Sequence, residues 1–152
     1  MYYINHDDMD RATHNAIGIN GHKFSEYTFF FIPFSINTHV KGVDGHAVLA
    51  IINNLLHIIT IYDPDNPNRD NIYDNEVEGI RRFHKKVGCG EKYDFAIAIK
   101  PQQKTEIDCG VFVMEYGKRK LLGEALKFDQ SDIKNIRTRI KKELTTRKNI
   151  KQ

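Results

Sequence analysis

Cys109 follows Asp108 and opens an apolar run, Gly110-Val111-Phe112-Val113, with Gln103 six residues ahead of it. A cysteine attacks as its thiolate, which is scarce near pH 7 unless an imidazolium or a helix N-terminus lowers its pKa. The start of a predicted helix supplies the second of these to Cys109. The first requires a histidine, and His46 is the candidate: it opens an apolar strand behind Gly42-Val43-Asp44-Gly45, where its ring can face a cleft at the sheet edge. Asp63 stands at the end of the following strand, 17 residues on. It can accept the second imidazole N–H and hold the ring's tautomer. The Gln103 side-chain amide can donate to a developing oxyanion beside the Cys109 backbone N–H, and Gly110 would keep the backbone open next to the nucleophile. Such a set performs acyl transfer on a thiol, as in a cysteine peptidase or a close chemical relative.

Each residue alone has a plainer reading. Cys109 suits a buried core thiol, His46 a satisfied strand-end histidine, Asp63 before Pro64 a turn initiator, and Gln103 an ordinary loop residue. The order of the four, each in a fitting element, favours chemistry. Cys89, between Gly88 and Gly90, reads as an incidental loop cysteine. His39 lies in a loop with no acidic strand end at a suitable distance, and His57 falls inside a predicted strand as a filler. Two cysteines and scattered histidines give no zinc spacing, so neither a metal nor a cofactor is expected.

The elements that must position these residues follow from the hydrophobic pattern. Thr28 to Phe34 is aromatic and β-branched and predicts a buried strand that Pro33 ends or confines to an edge. A polar loop is expected from Ser35 to Gly45. His46–Ile52 and Leu55–Tyr62 predict a hairpin joined by Asn53-Asn54, since Asn tolerates a left-handed backbone. Asp63 to Asn68 is turn or loop. Residues 72–87 have helical spacing and Gly88 as a stop, and Phe95–Ile99 predicts another strand. Gly110–Leu126 suits a buried helix through Val111, Phe112, Met114, Leu121 and Leu122. A last helix is predicted with Ser131 as N-cap and Ile133, Ile136, Ile140 and Leu144 on one face. A weak helix is expected over 7–17. The fold class is α+β, a small, largely antiparallel sheet packed between helices.

The 152 residues are expected to form a single domain, with 1–27 as an N-terminal extension or truncated start and 145–152 as a frayed tail. Apolar residues make up 40% and charged residues 28%, ordinary for a globular protein, and no apolar run approaches bilayer length. No membrane association is expected, the polar N-terminus is no signal peptide, and so few cysteines point to a reducing compartment. The net charge of +3 is too small to argue for nucleic acid. Its excess lies after residue 117, in Lys118, Arg119, Lys120, Arg137, Arg139, Lys141, Lys142, Arg147 and Lys148, and reads as a solvated helix face. A monomer is expected. The abundance of Ile, Asn and Lys suggests an AT-rich source, and with it a protein at work in a cytosol, a host's if the chain is a delivered effector.

Gly45-His46 opening a strand, Ile61-Tyr62-Asp63 closing the next, and Gln103 followed by Asp108-Cys109-Gly110-Val111-Phe112-Val113 resemble the Ulp1/SENP family of cysteine proteases, the adenain-like group. Phe31-Ile32-Pro33-Phe34 and the tail Phe128-Asp129-Gln130-Ser131-Asp132, leading into a helix with Arg137 and Ile140, extend the resemblance over about residues 28 to 144. It implies an adenain-like α+β fold and hydrolysis of the peptide or isopeptide bond after the C-terminal di-glycine of ubiquitin or a ubiquitin-like modifier such as SUMO or NEDD8. His46 is then the general base, Asp63 its orienting partner, Gln103 the oxyanion donor and Cys109 the nucleophile, with Ala47, Asp108 and Gly110 at the substrate. Ala47 occupies the place of the family's usual Trp, and the chain has no Trp at all. Two other functions use the same residues. Effector-type acetyltransferases share the His–acid–Cys order but need a coenzyme A site, and a catalytically weak or inactive module could keep the fold to bind a modifier.

Overall fold

The computed structural model describes residues 26–36, 45–65, 78–82, 85, 92–98, 100–105 and 107–148. Its elements in chain order are β1 (Phe29–Ile36), β2 (His46–Asn53), β3 (Ile58–Tyr62), β4 (Asp94–Ile97), α1 (Cys109–Leu121), a 3-10 turn (Gln130–Asp132) and α2 (Ile133–Lys148). Residues 78–82 are also helical. The strands form one sheet in the order β1-β2-β3-β4, antiparallel except for the parallel pair β3 and β4.

β2 is central and covered on both faces, which explains its unbroken apolar run. Its alternate residues feed two cores. Val48, Ala50 and Ile52 join Ile59, Ile61, Phe34 and Ile80 of the 78–82 helix on one face. Leu49 and Ile51 join Tyr62, Phe112, Val113, Tyr116 and Phe128 on the other, beneath α1 and α2. A sheet between helices is what the sequence predicts, and the α+β class holds. Pro33 lies inside β1, an edge strand among the described residues, where its missing N–H can be spared from the ladder. β1 runs on to Ile36, so Ser35 and Ile36 belong to the strand and not to the predicted polar loop.

Several boundaries move for identifiable reasons. Leu55, Leu56 and His57 belong to the β2–β3 turn, not to a strand. Asn53 shapes that turn through its side chain, whose Oδ1 accepts the N–H groups of Leu55 and Leu56 at 3.0 Å. The left-handed residue is His57, at φ 53°, with its ring against Tyr93. The fourth strand is Asp94–Ile97 rather than Phe95–Ile99. α1 stops at Leu121 because Gly123 takes φ 71° and completes a Schellman motif, with Glu124 N–H on Arg119 O at 2.7 Å and Gly123 N–H on Lys120 O at 3.3 Å. Leu121 and Leu122, past the docked part of α1, are exposed. Asp129, not Ser131, is the N-cap ahead of α2: its Oδ1 accepts the Ser131 N–H at 2.7 Å and Asp132 Oδ2 accepts the Asp129 N–H at 3.0 Å. α2 stays helical through Lys148, where a frayed tail is predicted from 145, and Leu144 is exposed while Ile133 and Ile136 are buried. The predicted helix over 7–17, the segment 1–25, most of the predicted 72–87 helix, His39 and Cys89 lie outside the described residues.

Gly45 precedes His46 at φ 80°, and a Cβ there would stand 2.2 Å from Ser35 Oγ. Ser35 is exposed and can turn away, but the left-handed backbone cannot be relieved so easily. Gly45→Ala is expected to destabilise the protein by about 1–2 kcal/mol in urea denaturation. Ser35→Ala in that background should recover only the contact and leave most of the loss.

Candidate active site

The site grows from the ends of β2 and β3. Their register pairs Leu49 with Tyr62; one step further sets Asp63 opposite Val48, on the face His46 shares. The two side chains therefore meet diagonally, with His46 Nε2 2.5 Å from Asp63 Oδ1. Both are buried, at 5% and 1% exposure. The same Oδ1 accepts the Asp65 N–H at 2.7 Å, so Asp63 is at once the turn initiator ahead of Pro64 and the partner of the ring. Asp63 accepts on Oδ1, and Nε2 is the nitrogen that meets it; Nδ1 is left for the other side of the ring.

That other side is Cys109. It hydrogen-bonds with His46, and its sulfur also receives backbone N–H groups from Ala47 and Gly110. The His46 bond holds the thiol below its ordinary range, against the opposing effect of burial, and those N–H groups and the imidazolium charge add to the lowering. Burial pulls His46 down, but bonds to Asp63 and Cys109 and their negative charges outweigh it and raise the ring to about 9. Cys109 is half-buried and a free thiol. It is the first residue of α1, so the helix N-terminus adds its positive end. The pair is built to exist as thiolate and imidazolium.

Gln103 is tied to the same strand end, its N–H on Pro64 O at 2.8 Å. Its Oε1 is buried without a hydrogen-bond partner among the described residues, so no internal contact on that atom fixes the carboxamide. Tyr116, fully buried in α1, donates its hydroxyl to Pro101 O and holds the start of this loop against the helix. The structure thus brings together His46, Asp63 and Cys109, with Gln103 attached beside them.

The expected substrate residues fare differently. Ala47 meets the site through its N–H, and its methyl packs with the core under α1. Gly110 is helical, so it needs no special backbone, but the space a Cβ would enter is open for 4 Å, next to Cys109. Asp108 is a correction. Its carboxylate is buried and turned inward onto Thr105, Gln130 and Arg137, which hold it away from the open side of the site. The roles of Thr105, Gln130 and Glu115 escaped sequence reasoning. Glu115 carried a signal, an acidic residue on the buried stripe of α1 with Arg119 four residues on, and it is buried between Arg119 and Arg139. Thr105 is within local reach, three residues ahead of Asp108, whereas Gln130 depends on a chain crossing that no local pattern encodes.

Residues 4–149 match the family described as the Ulp1 protease family, C-terminal catalytic domain. A stretch of 44 residues is 50% identical to Sentrin-specific protease 5 of mouse and of human, which is 29% of this chain and 6% of those relatives. Among solved structures, the SUMO protease Ulp1 with its catalytic cysteine oxidized to a sulfinic acid aligns at TM-score 0.64 and 19% identity, over 83% of this chain and 61% of that one. The C-terminal Ulp1 protease domain in complex with Smt3, the yeast ortholog of SUMO, aligns at 0.63 and 18%, over 82% and 61%. The central domain of an uncharacterized Legionella pneumophila protein aligns at 0.60 and 16%, over 100% and 88%. These likenesses establish the fold as Ulp1-like, the adenain-like α+β arrangement.

The bond to His46 and the backbone N–H groups favour the Cys109 thiolate. Iodoacetamide near pH 6 is expected to modify Cys109 well ahead of Cys89, by about tenfold or more. In His46→Ala, mass mapping should find that preference gone, because the cation that favours the thiolate has been removed.

Proposed function

The chain belongs to the Ulp1 protease family, and on that premise we propose that it is a thiol isopeptidase cleaving after the C-terminal di-glycine of a ubiquitin-like modifier. The observation that carries the reading is the His46 ring, buried between the Asp63 carboxylate and the Cys109 sulfur. The relatives named for sentrin and SUMO support a SUMO-type modifier as the first substrate to try, ahead of ubiquitin and NEDD8. The chain spans 61% of the Ulp1 structure it matches, and the 44-residue match to the sentrin-specific relatives spans 6% of their length. A free thiolate also argues for a reducing compartment such as a cytosol.

In the proposed reaction Cys109 Sγ attacks the glycine carbonyl carbon, and the π electrons pass to oxygen. The Cys109 N–H and the Gln103 amide hold that oxyanion. Collapse breaks the C–N bond, and His46 gives its Nδ1 proton to the departing amine. The neutral ring then takes a proton from water, which attacks the thioester, expels the thiolate and restores the imidazolium. Asp63 keeps Nε2 occupied throughout, so Nδ1 always faces the reaction. Ala47, where the family usually has Trp, would leave the channel for the glycine tail without one apolar wall.

Probes made of SUMO, ubiquitin and NEDD8 with C-terminal electrophiles test the reading. A covalent adduct with one of them, lost in Cys109→Ala, is the expected result, and no adduct from folded protein would overturn it in favour of a modifier-binding module. On a cleavable substrate, Gln103→Ala should lower kcat by about a hundredfold. The kcat/KM profile should be bell-shaped. It rises as Cys109 ionises, below the ordinary thiol range, and falls as pH passes about 9 and His46 loses its proton.

A further inference from the structure

We propose that Arg137 and Gln130 are positioning residues for the nucleophile, a reading that rests on Cys109 being that nucleophile. From the C-terminal part of the chain they grip the segment just before it, set where α1 begins, and cancel the carboxylate charge that stands next to the thiolate.

Asp108 is the pivot. It is the residue before α1, and its carbonyl accepts the N–H groups of Val111 at 2.9 Å and Phe112 at 3.1 Å. An aspartate there ordinarily turns its carboxylate back onto the first free N–H groups of its own helix. Asp108 makes no such bond. Its Oδ1 accepts from Arg137 Nη2, and its Oδ2 accepts from Gln130 Nε2 at 2.6 Å and from Thr105 Oγ1. The same Arg137 Nη2 reaches Ile107 O at 3.2 Å, and Gln130 Oε1 accepts the Lys104 N–H at 2.7 Å. Two side chains thus fasten Lys104, Ile107 and Asp108, across sequence separations of 22 to 30 residues. The grip is itself anchored, Gln130 by the Asp129–Asp132 capping box and Arg137 by α2, whose Ile133 and Ile136 are buried against α1.

The electrostatic consequence is specific. Burial favours the neutral form of Asp108, but its bonds to Thr105, Arg137 and Gln130 prevail and hold the carboxyl below the usual range. It is therefore a full negative charge one residue from a sulfur that must also be negative. The charged groups facing the two are His46 from β2, Asp63 behind it at the end of β3, Lys100 near Asp63, and Arg137 from α2. His46 answers the thiolate and Arg137 answers Asp108. Without Arg137 the carboxylate would repel the charge the nucleophile needs.

The test uses alkylation of Cys109 by iodoacetamide as a function of pH in the full chain, with a thermal melt of each variant. It needs no substrate, so a failure of the isopeptidase reading with the modifier probes leaves this experiment readable. Arg137→Met is expected to raise the midpoint of thiolate formation by about one pH unit and to slow alkylation near pH 6 about tenfold. Arg137→Lys should restore part of the loss. Adding Asp108→Asn to Arg137→Met should bring the midpoint back toward the parent, since the unanswered charge has gone. An unchanged midpoint in folded Arg137→Met, or a double variant displaced as far as the single one, would overturn the proposal. If Arg137→Met does not fold, Gln130→Ala decides: a smaller upward shift supports it, and no shift overturns it.

Discussion

A carboxylate with 1% exposure needs partners, and most of this architecture exists to supply them to Asp63. Isolated burial of such a charge costs several kcal/mol, and removing one member of a buried pair costs more than the pair contributes. Asp63 is answered by His46 across the hairpin and by the Asp65 N–H within its own turn. The first depends on the β2–β3 register: a slip of one residue would carry His46 to the opposite face and leave Asp63 only the local Asp65 N–H. The register is secured by the apolar residues of β2, which fill two cores at once. Packing and chemistry are therefore coupled here. The sheet cannot shift without uncovering a charge, and the charge keeps the ring fixed toward the sulfur.

The second core does a related task for Cys109. Phe112 and Tyr116 of α1 form an aromatic group with Tyr62 and Phe128, centroids 5.3 to 6.0 Å apart, which joins the end of β3 to the helix that opens on Cys109. Glu115 is buried beside them and bridges to Arg119 and Arg139, so α1 and α2 are linked by charge as well as by apolar contact. The basic residues after 117, read as a solvated face, divide accordingly. Arg119, Arg137 and Arg139 are tied into the structure, whereas Lys141 and Lys142 are exposed.

The parts legible in the sequence share one property: their signal is local. Period-two and continuous apolar runs located β1, β2 and β3, and the proximity of His46, Asp63 and Cys109 could be read because a strand start, a strand end and a helix start are recognisable places. Errors fell where a tertiary contact or an unusual backbone decides. His57 looks like a strand residue until its positive φ is known, and Leu121 and Leu122 look buried until Gly123 ends the helix beneath them. Ser131 is a good N-cap by type, but here its own N–H is capped by Asp129 Oδ1. Asp108 misled for a deeper reason. Its neighbour in sequence is Cys109, but two of its three partners, Gln130 and Arg137, lie 22 and 29 residues away, and with Thr105 they turn it to the interior.

The linear order of the site has a consequence for when the thiol becomes dangerous. His46 and Asp63 sit on one hairpin, a local structure that a growing chain can close as soon as β3 has left the ribosome. Cys109 comes much later, and the buried faces of α1 and α2 must both dock before its sulfur meets the ring. A nascent or misfolded chain therefore carries an ordinary, mostly protonated cysteine. Reactivity arrives with the last helices, and any unfolding that lifts α1 from β2 withdraws it again.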